Sequence, residues 1–126
     1  MRQFLAIYIG TATAEEKAAR QAMDLAERNA IDARGMQAWT DWALAHAGAI
    51  VDHGRPLGRT KRAAPDGITD TVNTMTGYVI VAAESHEAAA RMFEGHPHFS
   101  IFPGDSVEIV ECLSMPGMNS AEASGT

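Results

Sequence analysis

The sequence predicts an α+β protein of ferredoxin-like type: a four-stranded antiparallel sheet in βαββαβ order, with its helices on one face. Three observations point there. Short apolar runs alternate with stretches of helical periodicity in the order strand, helix, strand, strand, helix, strand. The chain has 126 residues, 46% of them hydrophobic and 21% charged, which suits one globular unit with a real core and excludes wholesale disorder. No internal repeat or linker divides it, so residues 1–115 read as one domain and 116–126 as a small, polar, loose tail.

The elements follow in order. Phe4 to Ile9 is a continuous apolar run closed by Gly10, and reads as a strand buried on both faces. With Arg2 before it and Thr11–Ala14 behind, it imitates a secretory leader, but it is too short for one. Thr13 and Glu16 fit a capping box, after which Ala19, Ala22, Met23, Ala26 and Ala30 recur at helical spacing. Gly35 predicts a kink or break. The pattern resumes with Met36, Trp39, Trp42, Ala43 and His46 on one stripe, and Gly48 is the expected C-terminal cap. Ala49 to His53 reads as the second strand, and Gly54 to Leu57 as a turn or irregular edge. Arg59, Lys61 and Arg62, followed by Pro65, Asp66 and Gly67, predict an exposed basic loop.

Thr71 to Ala83 has strand composition, with Gly77 marking a bulge or a close approach. Ser85 is a natural N-cap for a short helix over 86–94 whose Ala89, Met92 and Phe93 point inward, and Gly95 ends it. A connection rich in His, Pro, Phe and Gly leads to the last strand, Val107 to Leu113.

Tyr78, Ile80 and Ala82 alternate with Val79, Val81 and Ala83, so the third strand, like the first, is apolar on both sides. One helical layer covers one face only, and the other predicts a homodimer packed sheet to sheet. A net charge of -6 is the wrong sign for a phosphate-tracking surface, which excludes nucleic acid as the expected partner. No apolar run is long enough for a membrane helix. The single cysteine, Cys112, gives no internal disulfide, and the chain reads as cytoplasmic.

Three groups of residues carry candidate chemistry. His46 and Asp52, a helix-borne imidazole ahead of a strand-borne acid, suit a dyad in which the acid fixes the ring tautomer; a half-buried helix histidine is the plainer reading. His96 and His98 flank Pro97, and in an extended segment both rings point one way. They could then reach one metal ion with His53 or Asp105, although the helix end before them favours histidine without a metal, and no metal site is expected. His98 as a general base oriented by Asp105 or Glu108 suits the segment better. Trp39, Trp42, Tyr78 and Phe99 could stack on a planar ligand in a cleft, or be ordinary core and dimer contacts. Phosphate-loop, dinucleotide and hydrolase fingerprints are absent, and no cofactor is expected.

Phe4–Gly10, the Trp39 and Trp42 pair, Gly54–Leu57, Thr76–Tyr78 leading into Ala83, Pro97 with His98, and Gly104–Val110 together resemble the YCII-related (DGPF-type) family. The order of the blocks carries the likeness, from the first strand through Met115. It implies a small ferredoxin-like domain that dimerises into an α+β barrel with a cleft, and makes His98 the preferred site residue. Enzyme-like members pair an acid with a histidine about four helical turns before a Gly-Pro-Leu-like turn. Counting back from Gly54–Leu57 lands here near Trp39, a departure from that pattern. The function implied is small-molecule binding in a cleft at or near the dimer interface. The alternative is cofactor-independent histidine acid–base chemistry, elimination or hydrolysis, on a small cyclic or carbonyl compound.

Overall fold

The computed structural model describes residues 1–10 and 14–115. Its main sheet contains β1 (Arg2–Ile9), β2 (Ile50–Asp52), β5 (Met75–Ala83) and β6 (Ser106–Glu111), in spatial order β2-β5-β1-β6 and antiparallel throughout. A separate hairpin, β3 (Thr60–Ala64) with β4 (Gly67–Thr71), is inserted between β2 and β5. Setting the hairpin aside leaves the ferredoxin-like order. The helices are α1 (Ala14–Ala22), α2 (Leu25–Ala45), α3 (His86–Arg91) and the single turn α4 (Pro97–Ser100).

Alternation along the central strands sorts the faces. Phe4, Ala6 and Tyr8 of β1 and Val79, Val81 and Ala83 of β5 are buried, and Trp39 and Trp42 of α2 with Ala89 and Phe93 close over them. The helices therefore cover this face. Leu5, Ile7, Tyr78 and Ile80 on the opposite face are half-buried, and Val110 is 46% exposed.

Several local expectations are corrected. The first helical stretch breaks at Met23–Asp24, not at Gly35. Asp24 caps α2, its side chain accepting from the Glu27 N–H at 2.7 Å, and Arg20 donates to both carboxylate oxygens of Asp32 across the joint. Gly35 lies mid-helix and buried because the Phe102 ring presses on it; a Cβ there would sit 2.3 Å from that ring. α2 ends at a His46 cap, whose N–H bonds back to the Trp42 carbonyl, and Gly48 falls in the following turn. The expected basic loop is a hairpin turning at Pro65–Gly67 with Lys61 paired to Asp70, and Thr71 belongs to it rather than to the next strand. Ser85 caps α3 by accepting from the Ala88 N–H, and the helix closes through a turn at Gly95, whose φ is +67°. The expected Thr13 capping box and the tail over 116–126 lie outside the described residues.

Candidate functional site

A cleft of about 460 Å³ opens beside the C-terminal end of β1. Its floor is Tyr8; α2 gives Met36 and Trp39; the segment after β2 gives His53 and Arg55; β5 gives Thr76 and Tyr78; α4 and its exit give His98 and Phe102. A second depression, about 410 Å³, lies along the hairpin and carries no histidine, tyrosine or tryptophan.

Backbone geometry brings these side chains together. Thr76 is the extra residue of a bulge opposite Tyr8 and Ile9, and its hydroxyl donates to the Tyr8 carbonyl at 3.1 Å. Gly54, at φ +69°, passes so close to β5 that a Cβ would overlap the Tyr78 carbonyl oxygen at 1.6 Å. From there the chain runs beside β5 as the expected irregular edge: Tyr78 N–H donates to the Arg55 carbonyl and Leu57 N–H to the Thr76 carbonyl. That edge carries His53 and Arg55 to the mouth.

His96 and His98 do not splay from an extended segment. Pro97 starts a helical turn, and His96 caps it, its Nδ1 accepting from the His98 backbone N–H at 3.0 Å. Since a backbone N–H only donates, Nδ1 is unprotonated and a neutral His96 carries its hydrogen on Nε2, 3.3 Å from the Tyr8 hydroxyl. His96 has no exposed surface and packs against Tyr8, Trp39, Trp42 and Phe93. Burial, then the charges of His98 and His46, lowers its pKa to about 4. Burial raises the Tyr8 hydroxyl above the ordinary tyrosine range, so both groups stay neutral near pH 7. His98 Nε2 lies 2.7 Å from the Ile9 carbonyl, which only accepts. Nε2 therefore holds the hydrogen, and Nδ1 is the basic nitrogen.

Of the residues the sequence singled out, the structure gathers His98, Trp39 and Tyr78 at the cleft. His46 and Asp52 do not form a dyad: the His46 ring packs on Trp42 at 4.9 Å, and Asp52 Oδ1 accepts from the Gly54 N–H at 2.8 Å. Asp105 is exposed and accepts from the Ser106 hydroxyl instead of orienting His98. Trp42 packs half-buried against the core, its indole donating to the Met92 carbonyl, and Phe99 is 39% exposed outside the cleft. Among the described residues no trio of His, Cys, Asp or Glu is grouped to hold a metal ion.

Tyr8, Arg55, Thr76 and Phe102 escaped sequence reading as site residues. Tyr8 looks like any core residue of a buried strand. The signal available for Arg55 was its place inside the Gly54–Leu57 edge.

No family model matches the chain, and no curated protein does. Among solved structures it is similar to 5-chloro-2-hydroxyhydroquinone dehydrochlorinase from Burkholderia phenoliruptrix AC1100 in complex with 2,5-dihydroxybenzoquinone, with a TM-score of 0.51 and 15% identity. The match covers 90% of this chain and 95% of that one. The likeness is one of fold. It extends the ferredoxin-like architecture over nearly all of both chains, and no helix among the described residues is long and apolar enough to cross a membrane.

Proposed function

We propose that this chain is a cytoplasmic, dimeric protein of the YCII-related class that binds a small, planar, oxygen-bearing molecule in the Tyr8–Trp39–His98 cleft. The observation that carries the reading is the cleft's composition. Trp39, Tyr78 and Phe102 offer flat apolar walls, Arg55 and His53 offer a cation and an imidazole for a carbonyl or phenolate oxygen, and His98 Nδ1 offers a hydrogen-bond acceptor. The dihydroxybenzoquinone in the fold neighbour belongs to that chemical class.

Titration with 2,5-dihydroxybenzoquinone, followed by tryptophan fluorescence, tests this. Trp39 lines the cleft, so saturable quenching is expected, and Arg55→Ala should weaken binding about ten-fold, the worth of one charge-assisted hydrogen bond. No saturable signal with any such quinone or hydroxyquinone would end the reading.

One observation favours turnover as a second reading. The Ile9 carbonyl holds His98 as the Nε2–H tautomer, so Nδ1 suits a proton acceptor. Acid–base elimination needs no cofactor. Chloride release from 5-chloro-2-hydroxyhydroquinone by wild type, lost in His98→Ala while quinone binding persists, would establish it. Equal release from both proteins would remove His98 from the chemistry.

A further inference from the structure

We infer that Tyr8 is the hydrogen-bond donor this cleft presents to a ligand oxygen, and that His96 is the positioning residue that makes it one. The inference deepens the proposed binding reading and rests on it for the ligand, though not for the arrangement of the two side chains.

The His98 backbone N–H can only donate, and it donates to His96 Nδ1. The one hydrogen of a neutral imidazole is then on Nε2, and it points to the Tyr8 oxygen. A hydroxyl already receiving that bond keeps its own proton for something else. Among the described residues no other side chain or carbonyl hydrogen-bonds to the Tyr8 hydroxyl. Tyr8 is 4% exposed and lines the cleft, and with no acceptor for its proton among the described residues that proton is left for a ligand that reaches it. An acceptor oxygen satisfies it. A group with donors alone would leave that proton without an acceptor, which disfavours it.

The surroundings hold His96 in this role. Trp39 and Trp42 meet its ring edge-on at 4.6 and 4.7 Å, and Phe93 and Tyr8 pack beside it. The titratable neighbours are His98 of α4 and His46 at the end of α2, and either cation disfavours a charged His96. A protonated His96 would lose the bond from the His98 backbone, so burial and these neighbours protect the one state that orients Tyr8.

Two measurements decide the matter. Two-bond 1H–15N correlation on 15N-histidine-labelled full chain should show His96 as neutral Nε2–H from pH 5.5 to 8, without any ligand. Finding Nδ1–H or an imidazolium in that range overturns the inference. In the quinone titration, Tyr8→Phe, which deletes only the oxygen, should bind 2,5-dihydroxybenzoquinone at least ten-fold more weakly, and its melting temperature should also fall because the buried His96 Nε2–H loses its acceptor. A merely structural hydroxyl would lower stability with affinity intact, and intact affinity would overturn the inference. His96→Gln keeps a donor at the Nε2 position and should bind more tightly than His96→Leu. A wild type that ignores the quinone while His96 is Nε2–H supports the donor arrangement and removes the proposed ligand class instead.

Discussion

Gly104 has no room for a side chain. A Cβ there would lie 2.3 Å from the His98 carbonyl oxygen and 2.4 Å from the His98 ring. Gly104→Ala should therefore cost about 1–3 kcal/mol, as overpacking does, and shift the imidazole off the Ile9 carbonyl. Urea unfolding with His98 NMR shifts checks both effects, and unchanged His98 resonances would contradict the geometry. His96 predicts a pH dependence. Its pKa is about 4 when folded against an ordinary value of 6.5, so between those values the unfolded chain takes up a proton that the folded chain refuses. The His96 contribution is thus level above pH 7 and erodes as pH falls through 6.5 towards 4, with roughly 2 kcal/mol gone by pH 5. His96→Gln removes the titration, so its stability should fall less between pH 7 and pH 5 than that of wild type. Parallel pH profiles would count against a neutral, buried ring.

At the scale of elements, two boundaries that the sequence reading misplaced had local signals. Asp24 with Glu27 three residues on is the same acid-led pattern as a capping box, and it starts α2 where Ala26 and Ala30 suggested continuity. Pro65-Asp66-Gly67 is turn chemistry, and the strands on either side are exposed, so no apolar alternation announced the hairpin. Gly35 is the opposite case. Its tolerance inside α2 comes from Phe102, far along the chain, and no local pattern shows that. The hairpin pairs with itself as a two-stranded sheet, and most of its side chains are exposed. Replacing residues 60–71 with a short Gly-Ser turn should leave the far-UV spectrum of the rest and keep the melting temperature within about 5 °C, since surface changes contribute little. A much larger drop would make the hairpin part of the core's support.

For the whole molecule, the sheet face without helices sets the expectation. Leu5, Ile7, Ile80 and Val110 form an apolar surface there, next to a dimple lined by Leu57, Met75 and Tyr78. Tyr78 also lines the cleft, so a second copy seated on this face would adjoin the mouth. Sedimentation equilibrium is expected to give the mass of two chains. Val110→Lys places a charge on a residue already 46% exposed, so it should yield a folded single chain with native circular dichroism. A wild type that stays single at high concentration, or a Lys variant that stays paired, would dismiss the sheet-to-sheet dimer.

The architecture was legible in the chain: the order of elements, the strands apolar on both faces, the Ser85 cap and the helical stripe bearing Trp39. These rest on periodicity and capping, which act over a few residues and so are written locally. The sequence also put His98, Trp39 and Tyr78 among the residues to watch. Which residues they meet was set by long-range contacts. Tyr8 meets His96 across 88 positions because β1 lies at the centre of an antiparallel sheet and α4 folds over its end. An imidazole's tautomer depends on which donor and acceptor stand within about 3 Å, and that is a property of the closed fold, not of neighbours in the chain.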